Sequence, residues 1–600
     1  MPDILGEEAP GKAYDARLVR RLWTFVHPYR GVFWLAVLLS PVNQFFGLVQ
    51  PYLLKLGIDG YVSQGKTAGL RTLGLIFIAA LVGEFASQYG QQYLTTVVAQ
   101  GSLADLRVAL FARLQRFPMR FFDRNPVGRV VSRLTTDVDV LQEMFAAGAM
   151  TIVLDGLRLL GIIGFMLWIN WRLALVSLVL LPFMVAAIDY FRRAARRTYR
   201  MIRERIGRLN GFLQEAISGM TAIALSAREA KMYAEFEQLN AAHRDANHLS
   251  NKLEAALFSL VESVSTVSIA LMLWEGGRLH AANLVELGTV VAFIQYIQQF
   301  FVPIRDFSAK YAVLQSSMTA AERIFALLDL ETEAVPASPA VPAQIRGEIA
   351  FDHVEFAYRG EDWILRDVSF RIEPGERVAI VGATGAGKTT LVKLLDRLYD
   401  VQRGRVLVDG LDVRAWDVHA LRRRIAVVLQ DVFLFSGTVH DNITLGRDDI
   451  SRAAVEAAAR QVNADAFIRR LGGYDALIRE RGSNLSTGQR QLLAFARALA
   501  HDPTVLVLDE ATSSVDPETE WLIQDALAKL LVGRTAVVIA HRLSTIENAD
   551  RILVMHKGEL REEGTHRALL ERGGIYARLY RMQYAGERPP LAAAAAAAVP

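Results

Sequence analysis

The chain has 600 residues, which is too long for one ordinary hydrophobic core and predicts two or more domains. It contains no cysteine, so disulfides, thiolate metal sites and cysteine nucleophiles are excluded. The net charge of +4 is too small for this length to argue for a nucleic-acid-binding protein.

The chain before about residue 330 is far more apolar than the rest. One helical face of residues 13–30 is apolar, which favours a helix in the membrane interface over one on a soluble domain. That face comprises Leu18, Leu22, Phe25 and Val26. Six apolar segments follow, each near the roughly 20 residues that span a bilayer. They are 32–57, 70–95, 147–169, 171–190, 254–276 and 284–303.

Two long charged segments, 96–146 and 191–253, connect the second span to the third and the fourth to the fifth. The run Arg192–Arg208 is strongly basic, and an excess of Lys and Arg marks the cytoplasmic side of a membrane protein. The N-terminus, both long connections and everything after the sixth span are therefore expected in the cytoplasm. A solvated helix face explains the arginine run better than a nucleic-acid patch, because the run flanks membrane spans.

Several polar side chains lie within the predicted spans, where such residues are functional hypotheses by default. Asp155 and Arg158 lie three positions apart and therefore share a helix face. They either line a substrate cavity or form a mutual, structural ion pair. The candidates for a substrate cavity are Glu84, Asp155, Arg158, Glu262 and Gln295.

The remainder of the chain has the pattern of a soluble domain. Residues 331–348 are rich in Pro and Ala and predict a linker. Beyond them, short β-branched runs alternate with helical stretches, which predicts an α/β domain with a largely parallel sheet.

A glycine-rich stretch follows one of these strands and opens a helix. Residues 382–389, GATGAGKT, fit G-x-x-x-x-G-K-[ST] in the strand–turn–helix context that this phosphate-binding motif requires. Backbone N–H groups of such a loop converge on phosphate oxygens, and the helix N-terminus adds a favourable dipole. Lys388 is expected to reach the β- and γ-phosphates, and Thr389 to ligate Mg²⁺.

A second predicted strand, in Val505–Glu510, ends in two carboxylates. Asp509 is expected to hold Mg²⁺, and Glu510 to polarise the attacking water as a general base. Tyr358 lies upstream of the glycine-rich loop and is a candidate to stack on the nucleotide base.

Further motifs resemble those of ATP-binding cassette (ABC) proteins. The segment Leu485–Gln489, LSTGQ, is similar to the family's signature motif. Gln430, Asp516 and His541 resemble its Q-loop, D-loop and switch histidine. Six spans ahead of one cassette resemble a half-transporter of the type IV exporter fold, and Phe121–Asp139 is similar to that family's first intracellular loop.

The resemblance implies a membrane α-helical bundle of six long helices fused to a C-terminal α/β P-loop nucleotide-binding domain. The implied divisions are a cytoplasmic N-terminus with an interfacial elbow helix (1–30), a transmembrane domain with two intracellular coupling loops (31–330), a linker (331–348), the nucleotide-binding domain (349–583) and a low-complexity tail (584–600).

ATP and Mg²⁺ are the implied cofactors, and Glu510 and His541 the implied catalytic residues. The implied ATP-binding residues are Tyr358, Gly382, Ala383, Thr384, Gly385, Ala386, Gly387, Lys388, Thr389, Thr390, Gln430 and Asp509. The implied metal ligands are Thr389, Gln430 and Asp509.

Two cassettes of this family sandwich ATP between the phosphate loop of one and the signature of the other, so a second half-transporter is implied. The residues that would act on the partner's site are Leu485, Ser486, Thr487, Gly488 and Gln489. Thr487 stands where the family usually has glycine, and its β-branched side chain adds bulk and restricts the backbone. The chain otherwise carries a full set of hydrolytic residues. It thus resembles the competent subunit of heterodimeric bacterial exporters, which favours a heterodimer over a homodimer.

The expected function is ATP-driven export of an amphipathic or hydrophobic substrate (a drug, lipid or peptide) from the cytoplasm, across the bacterial inner membrane. An ATP-gated channel or a non-transporting regulator on the same scaffold is the alternative. An importer is disfavoured because importers usually keep spans and cassette on separate chains. Besides the lipid bilayer, the expected partners are the second half-transporter and the substrate, and no nucleic acid.

Overall fold

The computed structural model describes residues 15–65, 69–147, 149–333, 339–342, 344–509, 517–540 and 543–584. The chain divides into two compact units. The helical unit comprises Met1–Arg116 and Asn125–Glu331, and the sheet unit comprises Phe117–Arg124 and Thr332–Pro600. The short segment Phe117–Arg124 therefore belongs with the sheet unit although its neighbours in sequence do not.

Long helices dominate the first part of the chain. A 3₁₀ turn (His27–Tyr29) joins the first two, and a π-helical turn (Ile58–Val62) follows the second. The helices are α1 (Ala16–Val26), α2 (Arg30–Gly57), α3 (Leu70–Leu114), α4 (Met119–Arg124), α5 (Val127–Leu134), α6 (Thr136–Ala147), α7 (Ala149–Ile169), α8 (Trp171–Leu178), α9 (Leu181–Ser218), α10 (Met220–Leu225), α11 (Glu229–Ala281) and α12 (Leu287–Asp329).

Within the described residues, five helical stretches are long and apolar enough to cross a membrane. They are Ala16–Val62, Leu70–Leu114, Trp171–Ser218, Glu229–Ala281 and Leu287–Asp329. The remaining predicted span, 147–169, falls on α7, whose 21 residues are also enough to cross a bilayer. The predicted helical membrane domain is therefore confirmed.

The core of the helical unit forms where α12 packs between its neighbours. Phe293 and Tyr296 of α12 are fully buried there, together with Met166 of α7 and Met272 of α11. The Tyr296 hydroxyl donates a hydrogen bond to the carbonyl oxygen of Leu48 in α2 at 2.7 Å. This bond satisfies a phenolic hydroxyl that burial would otherwise leave without a partner.

Charged groups tie the C-terminal end of α2 to the N-terminal end of α12. The Gly288 N–H donates to Asp59 Oδ1 at 2.6 Å, and Lys55 Nζ lies 3.2 Å from Asp59 Oδ2. Only 7% of the Asp59 side chain is exposed. Gly288 makes the approach possible, because a Cβ there would lie 2.5 Å from the Lys55 carbonyl oxygen. The carboxylate thus holds two helices at once.

The sheet unit contains two larger sheets and one small one. Its strands are β1 (Ile349–Ala357), β2 (Trp363–Ile372), β3 (Arg377–Val381), β4 (Arg403–Val408), β5 (Leu411–Asp412), β6 (Ile425–Val428), β7 (Gly437–Thr438), β8 (Leu477–Ile478), β9 (Val505–Asp509), β10 (Thr535–Ile539), β11 (Arg551–His556) and β12 (Glu559–Gly564). Its helices, after α4, are α13 (Lys388–Leu395), α14 (Val418–Arg424), α15 (Val439–Thr444), α16 (Arg452–Gln461), α17 (Asp465–Leu471), α18 (Thr487–Ala500), α19 (Pro517–Leu530), α20 (Leu543–Glu547), α21 (His566–Arg572) and α22 (Ile575–Tyr584).

The six-stranded sheet has the order β12-β11-β3-β10-β9-β6, and all its pairs are parallel except β11 with β12. Its central strands are almost continuous runs of buried Val, Ile and Leu, as expected for a parallel sheet covered on both faces. A separate antiparallel sheet has the order β2-β1-β4-β5. The predicted α/β domain with a largely parallel sheet is confirmed.

The parallel register determines which chain segments emerge together. Ile539 of β10 is paired with both Ile380 of β3 and Asp509 of β9, while Val428 of β6 is paired with Leu508. The C-terminal ends of four strands therefore lie along one edge of the sheet, where open α/β sheets bind their ligands.

Replacing Asp59 with alanine should destabilise the helical unit, because the variant leaves the Lys55 ammonium and the Gly288 N–H without their buried partner. We expect a loss of about 3 kcal/mol in the free energy of unfolding, seen as a lower melting temperature of the detergent-solubilised protein. The control is Glu286→Gln, which removes the carboxylate, 67% exposed, that also contacts Lys55. Equal melting temperatures for the two variants would contradict the role assigned to Asp59.

Candidate nucleotide-binding site

The glycine-rich loop begins where β3 ends and leads directly into α13, which starts at Lys388. Gly385 and Gly387 have φ angles of 81° and 98°, a region that residues with a side chain rarely adopt. A Cβ on Gly387 would lie 2.7 Å from Leu365 Cδ2 in β2. The loop therefore requires glycine at this position for both its backbone conformation and its packing.

The Lys388 side chain curls back over the loop. Its ammonium donates hydrogen bonds to the carbonyl oxygens of Gly382 at 2.7 Å and Ala383 at 3.1 Å. Burial lowers the pKa of Lys388, and the charge of Asp509 partly opposes this effect. A dehydrated ammonium gains more from a nearby phosphate than an exposed one does, because less solvent screens the attraction.

Oxygen ligands from two distant parts of the chain meet beside the loop. The Thr389 hydroxyl donates to Asp509 Oδ2 at 3.4 Å, which places the first helical turn of α13 against the end of β9. Gln430 is exposed two residues beyond β6, on the same edge of the sheet. Hydroxyl, carboxylate and amide oxygens are ligands that suit Mg²⁺, so this donor set fits that ion.

Three residues assigned to this site by the sequence, Glu510, Asp516 and His541, lie outside the described residues. Their roles therefore stay predictions.

Tyr358 belongs to an aromatic cluster beside the phosphate loop. Its ring centroid lies 4.9 Å from that of Phe356 and 5.2 Å from that of Tyr399, in edge-to-face geometry. Its hydroxyl lies 3.2 Å from the Thr390 hydroxyl in α13, and Lys393 Nζ lies 5.4 Å from its ring centre. These contacts hold Tyr358 against the helix that carries the loop.

The signature segment forms the start of α18. Ser486 is the N-cap, and its hydroxyl accepts from the Gln489 N–H at 3.2 Å while its own N–H donates to Gln489 Oε1 at 3.0 Å. Thr487 occupies the first helical position without a positive φ, and its hydroxyl accepts from Arg490. The helical backbone at position 487 does not require glycine. Any effect of Thr487 on the partner's phosphate-binding site must therefore come from its exposed side chain. Its neighbour Gly488 is buried in the first turn.

A link between α4 and the aromatic cluster was not predicted from the sequence. The buried Tyr399 donates a hydrogen bond from its hydroxyl to the carboxylate of Asp123. These residues are 276 positions apart in sequence. Asp123 lies in the segment that resembles the first intracellular loop, but that resemblance did not indicate Tyr399 as its partner.

A second missed residue is Asp396, which ends α13. Burial raises its pKa to about 7, against the opposing attraction of Arg422. An aspartate in an otherwise ordinary helix end carries no signal of such burial in the sequence.

The predicted cavity residues lie on four helices of the helical unit: α3, α7, α11 and α12. The Gln50 amide donates to the carboxylate of Glu84, joining α2 to α3. Glu262 is exposed on α11, and Gln295 is half-buried on α12. Their common role in a cavity therefore stays a prediction.

A mutual ion pair between Asp155 and Arg158 was one of the two alternatives for these residues. This alternative was wrong, because the two side chains do not pair with each other. Lys310 of α12 forms the ion pair with Asp155, and Arg158 Nη2 lies 3.5 Å from Gln299 Oε1. Both partners lie more than 140 positions away in sequence, so the local three-residue spacing could not reveal them.

Comparison with known protein families agrees with this geometry. The family described as ABC transporter transmembrane region matches residues 33–304, and the family described as ABC transporter matches residues 365–513. An ATP-dependent lipid A-core flippase of Chromohalobacter salexigens is 37% identical, over 94% of this chain and 98% of that protein. The chain belongs to the ABC transporter family.

Other members of the family extend the comparison. The Bacillus subtilis protein YgaD, whose name assigns it to multidrug export, is 36% identical over 94% of this chain and 99% of its own length. The solved structure of a bacterial Atm1-family ABC exporter with ATP bound has a TM-score of 0.75 and 28% identity, covering 96% of this chain and 100% of that one. This ABC transporter is accordingly a half-transporter of the exporter type, an ATPase coupled to transport that acts as a dimer in a membrane.

Replacing Gly387 with alanine should weaken ATP binding more than replacing Gly385. Both substitutions strain a left-handed backbone by about 1–2 kcal/mol, but only the first also drives a methyl group into Leu365, whereas nothing lies within 4 Å of a Cβ on Gly385. Equilibrium binding of a fluorescent ATP analogue to the purified transporter checks the difference. Indistinguishable affinities of the two variants would show that contact with β2 does not shape the loop.

Proposed function

We propose that this ABC transporter exports an amphipathic or hydrophobic compound from the cytoplasm across the bacterial inner membrane, using Mg²⁺-dependent ATP hydrolysis. One observation carries the nucleotide chemistry: Lys388, Thr389 and Asp509 converge at one edge of the parallel sheet. A phosphate-binding loop next to an oxygen donor pair is what ATP hydrolysis requires.

Each residue has a distinct task in this proposal. The loop from Gly382 to Gly387 and the ammonium of Lys388 bind the phosphates, and Thr389, Asp509 and Gln430 hold the metal. When bound by these residues, Mg²⁺ would neutralise part of the charge on the phosphate oxygens. Glu510 accepts a proton from the attacking water, and His541 contacts the terminal phosphate.

The signature of this chain serves the second half-transporter. Ser486, as the N-cap of α18, presents its hydroxyl beside the helix N-terminus, where a negatively charged group is favoured. ATP binds the closed pair of cassettes more tightly than the open pair. This difference in binding free energy drives the rearrangement of the membrane helices. Hydrolysis then returns the helices to their starting arrangement.

The orientation in the membrane follows from charge. The arginine-rich part of α9 extends from the fourth predicted span, and an excess of arginine marks the cytoplasmic side. The cassette and the N-terminus are therefore assigned to the cytoplasm. The names of the relatives point to bacterial exporters, which supports the inner membrane as the location.

Replacing Glu510 with glutamine should leave ATP bound but reduce hydrolysis by roughly 10²-fold or more, because the shape is kept and the base is lost. Steady-state phosphate release and equilibrium nucleotide binding on the same reconstituted sample measure the two effects. Glu571→Gln, which neutralises an exposed carboxylate on α21, is the control. Hydrolysis near the wild-type rate by the Glu510 variant at its own site would remove this residue from the mechanism.

We further propose that the second half-transporter is a different chain. The exposed side chain of Thr487 adds bulk where the partner's phosphates bind, so it weakens the partner's site and not its own. Expressed alone, this chain should purify as an unstable or weakly active species, and a second half-transporter should restore ATP hydrolysis. A stable homodimer of this chain with brisk, cooperative hydrolysis would contradict the heterodimer.

A further inference from the structure

One face of α3 carries a polar row inside the predicted second span. Glu84, Gln88 and Gln92 recur at intervals of four and therefore share this face. Glu84 lies about 21 Å along the helix from Leu70, well inside a hydrocarbon layer about 30 Å thick. Gln88 and Gln92 are exposed in the single chain. Side chains of this kind at such depth face a bundle interior or a water-filled cavity and not lipid.

The carboxyl group of Glu84 is held in place by a neutral partner. Gln50 of α2 donates its amide to one carboxylate oxygen, which fixes the side chain against α2. Within the described part of the chain, no Lys, Arg or His forms an ion pair with Glu84. An uncompensated negative charge at this depth is costly, so a cation that reaches it is strongly favoured.

An aromatic row runs beside the polar row, one position further along the helix. The ring centroids of Phe85 and Tyr89 are 6.4 Å apart, as are those of Tyr89 and Tyr93, with interplanar angles of 20° and 7°. The three side chains are 71%, 66% and 59% exposed. Tyr93, two residues before the end of the predicted span, fits an aromatic belt at the membrane interface, whereas Phe85 lies beside Glu84 nearer the middle of the span. Aromatic faces of this kind attract organic cations.

We propose that this face of α3 binds lipophilic organic cations and that such compounds are a substrate class of the transporter. The face, here called the cation face, comprises Glu84, Phe85, Gln88, Tyr89, Gln92 and Tyr93. The assignment of these compounds as substrates rests on the proposed export function. A neutral compound leaves the carboxylate uncompensated, and an anion is repelled by it, so charge is the property that this face selects.

Direct binding tests the cation face without relying on ATP hydrolysis. The full-length chain, assembled with its second half-transporter in lipid nanodiscs, is titrated with radiolabelled tetraphenylphosphonium, and the signal of empty nanodiscs is subtracted. Triphenylphosphine oxide, which is neutral but carries the same aryl groups, is the competitor. We expect saturable binding of the phosphonium that the neutral compound displaces only weakly.

Two independent variants probe the two rows. Glu84→Gln keeps an acceptor for Gln50 and should raise the dissociation constant of the phosphonium about tenfold or more. Tyr89→Leu should raise it roughly threefold to tenfold, while Tyr89→Phe, which keeps the ring, should leave it nearly unchanged. The matched control is Glu237→Gln, which removes an exposed carboxylate from the charged part of α11 outside the predicted spans and should bind as the wild type does.

The outcomes separate this inference from the proposed function, because ATP hydrolysis is measured on the same samples. Charge-selective binding by a wild-type transporter that never hydrolyses ATP, even when assembled with its second half-transporter, supports the cation face and contradicts ATP-driven export. Hydrolysis together with equal affinity for the cation and the neutral compound overturns the cation face alone. An unchanged dissociation constant in both Glu84→Gln and Tyr89→Leu overturns it as well.

Discussion

The parallel pairing of β3, β10, β9 and β6 is the constraint on which the nucleotide site depends. Parallel strands in register end at the same edge, so the glycine-rich loop after β3 and Asp509 at the end of β9 come to lie side by side. Neither segment could build a phosphate site alone, because the loop supplies N–H groups and an ammonium while β9 supplies the carboxylate. The buried Val, Ile and Leu of these strands hold the register and so hold the site.

In the helical unit the equivalent constraint is the cost of charge in lipid. Asp155 of α7 forms an ion pair with Lys310 of α12. Asp59 forms an ion pair with Lys55 four positions earlier and accepts a hydrogen bond from the Gly288 N–H of α12. Glu84 differs from these two, because its described contact is with the neutral amide of Gln50. In membrane helices, polar residues occur mainly where they contribute to packing or transport.

The sequence predicted features that depend on local chemistry. The strand, glycine turn and helix around Lys388 follow from adjacent residues, and the span lengths follow from the thickness of a bilayer. It did not predict contacts between distant segments. The partner of Asp155 was sought three residues away but lies on α12, and Tyr399 bonds to Asp123 of α4 across 276 positions. Local periodicity identifies which face a side chain occupies, but not which helix faces it.

Thr487 shows a second feature that the sequence did not predict correctly, the backbone conformation at the start of α18. Its residue type indicated a restricted backbone, yet the first position of a helix accepts threonine without strain, so only the side chain can matter. The exposed hydroxyl of Thr487 accepts a hydrogen bond from Arg490 of the same helix, a contact that the residue type alone did not indicate.

The central claim is that ATP at the sheet edge rearranges the membrane helices, and one distance tests it most directly. Because the chain has no cysteine, spin labels can be attached at Leu75→Cys and Trp274→Cys, two exposed positions on α3 and α11, which the Asp59 contact does not hold together. Pulsed electron paramagnetic resonance then measures their separation in the reconstituted transporter. The account predicts a longer distance when ATP is bound and hydrolysis is blocked, and the original distance when nucleotide is removed. The same distance distribution with and without ATP would contradict it.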